Sequence, residues 1–333
     1  MKIQTKPLKR IAGILLKSIS YLRQTHIKDA FINFIKYRLS DKVQLEISSY
    51  CQLKCPVCSQ TLGNTGIIGK GYLSFNNFRN FIDKYPHIKR IEVSNYGEIF
   101  LNPQFKDILQ YAFSNRIELA AYNGVNLNTV NIEILELLVS CQFRHLTVSL
   151  DGATAETYAI YRMGGNFETV ISNIKKINSF KQSYQSTFPV LRWQFTVFGH
   201  NEHEISLARE KANELRMEFE VKRNWSESYS PVKNYKWPNK INVLPSGFCR
   251  QLWLSPQINW DGKIMGCCIN KWNDFGNAFE NDLNIRKNER LLYARKMLLG
   301  KTKEREDIPC AHCLVYHEMK NTKRYLKRPV FLN

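Results

Sequence analysis

The sequence predicts an α/β fold on a parallel sheet, followed by a smaller C-terminal region rich in cysteine. Three observations lead there. From Val43 to Lys222, short β-rich runs alternate with amphipathic helical runs, which implies parallel strands joined by right-handed crossovers. Residues 223–248 lose that periodicity and carry Pro231, Pro238, Pro245 and Gly247, which reads as a linker. Of the nine cysteines, all but Cys141 fall into two groups with metal-ligand spacing, one after the first strand and one beyond the linker.

The strands are expected at 43–48, 90–94, 118–122, 145–150, 190–198 and 218–222. Helices are expected at about 75–85, 105–115, 129–141, 167–179 and 204–216. Six strands are too few to close an eight-stranded barrel. Asp261-Gly262 between apolar runs signals a hairpin, and a basic helix follows near 286–299. The predicted division is therefore an N-terminal extension over 1–42, a core over 43–222, the linker over 223–248 and a C-terminal unit over 249–333.

At 333 residues the chain holds ample core for one large domain and a smaller one. Grouped cysteines in a chain of this length point to a reducing, cytoplasmic setting rather than a secreted disulfide scaffold. The net charge of +19 is concentrated at the ends: residues 1–44 carry ten Lys/Arg against two Asp. Apolar residues at helical spacing in that stretch (Ile11, Leu15, Ile19, Leu22, then Ile27, Phe31, Phe34, Ile35) describe a basic amphipathic helix. Such a helix lies on an anionic membrane surface as a peripheral contact, or packs on a domain edge. The run Ile11–Leu16 is too short to span a membrane, and no signal-peptide pattern is expected. No recognition motif supports a nucleic-acid partner.

Cys51, Cys55 and Cys58 form a C-x3-C-x2-C loop just after the first strand. Three thiolates are one short of the four that close a 4Fe–4S or structural zinc site, so they leave a metal position open for chemistry. A zinc knuckle completed by Cys141 or a histidine is the alternative. The segment from Val43 to Cys58 closely resembles the cluster loop of the radical S-adenosylmethionine enzymes. That resemblance implies a partial (β/α)6 barrel with its site at the C-terminal strand ends. It also implies a 4Fe–4S cluster whose free iron chelates S-adenosylmethionine, and cleavage of that cofactor to a 5′-deoxyadenosyl radical.

Other strand ends match the same family. Asn95-Tyr96-Gly97-Glu98 is similar to its Gly-Gly-Glu turn, with Tyr96 in place of the first glycine, which implies a role for Gly97 and Glu98 at the methionine amino group. Tyr122-Asn123-Gly124 stands where the family commonly has Thr-Asn-Gly. Ser149 and Arg162 occupy the places whose serine and arginine hold the methionine carboxylate, a task suited to the arginine fork. The alternative has Ser149 and Asp151 capping the next helix, with Arg162 on a solvated face.

Beyond the linker, the order Cys249, hairpin, Cys267-Cys268, Gly276-Asn277 and Cys310-Ala-His-Cys313 resembles the SPASM and Twitch auxiliary domains. A full SPASM domain supplies seven cysteines and this chain has five, so the resemblance implies one auxiliary 4Fe–4S cluster on Cys249, Cys267, Cys310 and Cys313. Cys268 is then left free, and His312 is a bystander. A zinc ribbon on the same four cysteines is the alternative.

An open cluster beside a closed one implies hydrogen abstraction followed by oxidation of the substrate, with a reductant such as flavodoxin or ferredoxin. About forty residues precede the first strand, too few for the leader-binding module of peptide-modifying relatives. The expected substrate is therefore a small molecule or sugar, with a peptide as the alternative. The rival from another class is a non-enzymatic, zinc-binding nucleic-acid module, which has no use for the long β/α core.

Overall fold

The computed structural model describes residues 41–326, except 225, 227, 238–248 and 281. The basic N-terminal helix anticipated before residue 41 lies outside the described residues, as do Pro238, Pro245 and Gly247 of the linker. No described helix is long and apolar enough to cross a membrane.

The chain runs β1 (Lys42–Leu45), α1 (Phe75–Lys84), β2 (Arg90–Glu92), α2 (Phe105–Ser114), β3 (Glu118–Val125), α3 (Ile132–Ser140), β4 (His145–Ser149). It continues through α4 (Ala155–Tyr161), α5 (Phe167–Ser183), β5 (Val190–Val197), α6 (Ile205–Glu214) and β6 (Glu218–Arg223). The C-terminal region adds α7 (Gln251–Leu254), β7 (Gln257–Ile258), β8 (Ile264–Gly266), α8 (Glu289–Leu298) and α9 (Leu314–Asn321).

All six anticipated core strands are present and pair in parallel, in the order β6-β5-β4-β3-β2-β1-β7-β8. The hairpin expected at Asp261-Gly262 is also present, and it extends this sheet: β7 pairs in parallel with β1 and antiparallel with β8. Gly262 has φ +90°, and a Cβ there would lie 2.1 Å from Asn277 Oδ1, so the turn requires glycine.

The register sorts the side chains. Gln44, Glu92 and Ala120 fall in one row, Thr147, Arg192 and Glu218 in another, and Ser149, Gln194 and Glu220 in a third. Strand side chains alternate, so these rows share one polar face. The opposite face carries Val43, Leu45, Ile91, Leu119, Leu146, Val148, Leu191, Trp193 and Phe195, all buried against the helices. Each large apolar side chain so buried contributes about 1.5–3 kcal/mol. Arg192 and Glu218 are ion-paired at 2.8 Å at the end of this face, whereas Gln194 is buried beside Ser149.

Side-chain caps explain where the helices begin. Ser74, Asn131, Thr154, Asn166 and Asn288 each accept a backbone N–H of the first turn of α1, α3, α4, α5 and α8. Three helices were not anticipated: α4, α7 and α9. They span only 7, 4 and 8 residues, too few turns to show a period of 3.6. Part of the expected linker is tied to the core, where the Glu202 carboxylate accepts the backbone N–H groups of Lys233, Asn234 and Tyr235.

Candidate functional site

The loop bearing Cys51, Cys55 and Cys58 leaves the C-terminal end of β1 and is pinned at both ends. Asn102 Nδ2 donates to the carbonyls of Ile47 (2.7 Å) and Leu73 (2.9 Å). The Lys54 N–H donates to the Met163 carbonyl at 2.9 Å, which joins the loop to the segment after α4. Two nitrogen donors reach its sulfurs: Asn126 Nδ2 lies 3.8 Å from Cys51 Sγ, and Arg162 Nη1 lies 3.8 Å from Cys55 Sγ. Burial pushes the Cys51 thiol up to about 12.

The turn at Gly97 and Glu98 packs backbone to backbone against this loop. The Glu98 N–H donates to the Tyr50 carbonyl at 2.7 Å, and a Cβ on Gly97 would sit 2.2 Å from the Ser48 oxygen. Close approach therefore demands glycine at 97. The Glu46 carboxylate on the other side accepts the Tyr96 N–H at 2.9 Å and the Gly97 N–H at 3.4 Å. The Glu98 carboxylate accepts the Asn126 N–H at 2.6 Å. Burial raises both carboxyls, Glu46 to about 8 and Glu98 to about 7, against the opposing pull of these backbone donors.

Ser149 and Arg162 are both drawn into the site region rather than onto a solvated face. The buried Ser149 hydroxyl accepts from Gln194 Nε2 at 3.4 Å, and it lies where a Cβ on Gly124 would intrude, at 2.2 Å. The cap of α4 is Thr154, so neither Ser149 nor Asp151 starts that helix. Asp151 instead pairs with Arg162 at 2.6 Å, with the carboxylate fully buried, and accepts the Thr196 N–H at 2.7 Å. Burial works against the Arg162 charge, but Asp151 and Cys55 beside it outweigh that and hold its pKa above the ordinary value. Arg162 Nε is buried without a partner among the described residues, so one donor of its fork is uncommitted.

Four of the remaining cysteines share one cavity. Cys249, Cys267, Cys310 and Cys313 line one cavity whose other walls are mainly apolar, among them Leu252, Phe275 and Leu298. Cys268 does not line it. Its N–H is held by Gln251 Oε1 at 2.7 Å, and its carbonyl accepts the Tyr96 hydroxyl. His312 Nε2 is engaged with the Glu306 carbonyl at 2.8 Å. Cys141 caps the end of α3, apart from both groups. Among the described residues, no three His, Cys, Asp or Glu side chains are drawn together as a ready site for a metal ion. In chemical terms the donor sets still suit thiolate-ligated iron: three thiols in a loop with nitrogen donors on two sulfurs, and four thiols around an apolar cavity.

Sequence reasoning did not identify Glu46, Asp151 or Asn126 as parts of this arrangement. Glu46 carried a signal, since a lone carboxylate within an apolar strand needs partners once buried. Asn126 carried none, because its partners are distant in the chain.

An open, mostly parallel α/β sheet with a thiol loop at the end of its first strand defines the class of protein. Residues 45–206 match the profile of the Radical SAM superfamily, so this core is similar to that superfamily. The match points to an enzyme that uses a 4Fe–4S cluster and S-adenosylmethionine. The chain is 31% identical over 173 residues to the AdoMet-dependent heme synthase of Methanosarcina barkeri, covering 51% of this chain and 46% of that protein. It is 26% identical over 134 residues to the mycofactocin maturase MftC of Mycobacterium tuberculosis, covering 40% and 33%. The chain thus spans less than half the length of these curated relatives. Among solved structures, Streptococcus suis SuiB bound to S-adenosylmethionine aligns over 94% of this chain and 82% of its own, with TM-score 0.62 and 14% identity. Native anSMEcpe with bound AdoMet aligns over 82% and 86%, with TM-score 0.51 and 13% identity. These two likenesses concern the fold.

Proposed function

We propose that the chain is a radical S-adenosylmethionine oxidoreductase acting on a small molecule or sugar. Cys51, Cys55 and Cys58 hold the first 4Fe–4S cluster, and Cys249, Cys267, Cys310 and Cys313 hold an auxiliary one. When bound, the first cluster with S-adenosylmethionine supplies a 5′-deoxyadenosyl radical for hydrogen abstraction, and the second supplies an electron acceptor.

The chain's own residues do the binding and orienting. The turn at Gly97 and Glu98 presents backbone carbonyls to the methionine amino group, and Glu46 holds that turn in place from behind. Ser149 and the uncommitted Arg162 Nε–H take the carboxylate. Asp151 keeps the guanidinium charged and fixed in orientation. A flavodoxin or ferredoxin supplies the reducing electron.

The observation that carries this reading is the juxtaposition of the two cysteine groups with their recognition residues. Arg162 touches Cys55, and the hydroxyl of Tyr96, beside Gly97, donates to the carbonyl of Cys268, the neighbour of Cys267. The test is anaerobic reconstitution. Wild type should hold about eight irons as two clusters of four. Replacing Cys51, Cys55 and Cys58 together by Ala should remove one cluster and all cleavage of S-adenosylmethionine. Wild-type-like cleavage in that variant would sink the reading, and a colourless zinc protein would sink it earlier.

A second reading, modification of a peptide, is favoured by the similarity to the mycofactocin maturase. Product analysis with peptide and sugar alcohol substrates separates the two.

A further inference from the structure

Asn126 follows β3 directly and is only 4% exposed. The orientation of its side-chain amide is decided by its neighbours. Oδ1 accepts the backbone N–H of Asn128 at 3.0 Å, and a backbone N–H cannot accept in return. The amide nitrogen must therefore point the other way, where it meets Gln52 Oε1 at 3.3 Å and Cys51 Sγ at 3.8 Å. Gln52 Nε2 closes the pair by donating back to Asn126 Oδ1 at 2.8 Å. The backbone of Asn126 is fixed as well, through its N–H to the buried Glu98 carboxylate. An oriented N–H, locked from three sides, is thus aimed at one sulfur of the thiol loop.

We propose that Asn126 tunes the reduction potential of the cluster at Cys51, Cys55 and Cys58 by donating a hydrogen bond to the Cys51 sulfur. The inference rests on reading those three thiols as the cluster ligands. The physical reason is charge. An added electron increases the negative charge shared by the ligating sulfurs, and a fixed N–H dipole stabilises that charge. The donor therefore favours the reduced form and raises the potential. Asn126 acts through Cys51, so it is a positioning residue and not a catalytic one.

The test is a potentiometric titration followed by electron paramagnetic resonance, read on the signal that S-adenosylmethionine perturbs. Asn126→Asp keeps the acceptor oxygen towards Asn128 and places oxygen instead of N–H against the sulfur. Its potential should move to more negative values. Asn126→Ser removes the amide without adding charge and should move it in the same direction by less. A purely structural role would lower the melting temperature and leave the potential where it was. Unchanged potentials in both variants, with iron content intact, would overturn the proposal. Loss of the cluster from both variants with circular dichroism unchanged would also overturn it, making Asn126 a residue of assembly. Failure of the underlying cluster reading shows on wild type alone, as iron absent from this loop, and would overturn both.

Discussion

The Arg162 guanidinium stands 2.6 Å from the fully buried Asp151 carboxylate, and its other end reaches the Cys55 sulfur. The strand-end segment Ser149–Asp151 and the thiol loop are thereby joined through one side chain. Arg162→Ala should weaken binding of S-adenosylmethionine by about 1.5–3 kcal/mol, the worth of a charged hydrogen bond. It should also lower stability by about 3–5 kcal/mol, because Asp151 is left buried and uncompensated. Calorimetric titration well below the melting temperature separates the two effects. Lowered stability with an unchanged dissociation constant would confine Arg162 to the ion pair.

The four-cysteine cavity makes a second prediction. Cys310→Ala/Cys313→Ala should still cleave S-adenosylmethionine, since the first thiol loop lies elsewhere, yet form no oxidised product. If the second site is only structural, both activities should fall together, because a closed metal site supplies folding energy outright. Cys268→Ala should cost little, as its thiol does not line the cavity. Loss of iron from Cys268→Ala but not from Cys267→Ala would shift the ligand assignment by one residue.

Tyr96 replaces a glycine of the family's turn, and its hydroxyl donates to the Cys268 carbonyl. Tyr96→Phe should destabilise the cofactor-free protein by about 0.5–1.5 kcal/mol, the net worth of one hydrogen bond. Amide exchange at Cys268, whose N–H is held by Gln251 and whose carbonyl is held by Tyr96, should accelerate. Unaltered exchange there would show that the clamp is held by Gln251 alone.

Gly97→Ala should be among the most damaging single substitutions in the core. The added methyl group would meet the Ser48 and Tyr50 carbonyl oxygens at 2.2 and 2.7 Å, and both belong to the backbone that starts the thiol loop. Binding of S-adenosylmethionine and iron retention should drop together. Wild-type affinity in this variant would mean that the turn and loop separate without cost.

Stability should depend on pH through the buried carboxyls. Burial raises Glu46 to about 8 and Glu92 and Glu98 to about 7, above their value near 4.5 in the unfolded chain. The folded state therefore binds more protons than the unfolded state between those limits. The stability of the cofactor-free protein should be greatest below about pH 4.5 as far as these groups are concerned, and fall as pH rises through 7–8. Denaturant unfolding between pH 5 and 8.5 measures the slope, and Glu46→Gln should flatten it. A slope unchanged by Glu46→Gln would show that Glu46 does not carry that titration.

The six parallel strands were legible in the sequence because each strand and its helix carry a local signal, alternation or a period of 3.6 over a few turns. The cysteine spacing was legible for the same reason: Cys51, Cys55 and Cys58 sit within eight residues, where chain geometry alone brings thiols near one another. Cys249, Cys267, Cys310 and Cys313 were grouped through the resemblance of their order to an auxiliary domain; that they line one cavity with Leu252, Phe275 and Leu298 is a tertiary fact that local pattern does not assign. Only the tertiary structure decided the partners of Arg162, Glu46 and Asn126. Those contacts join positions 11 to 75 residues apart, and a buried charge or amide takes whichever partner the packing of distant strands brings within hydrogen-bond reach.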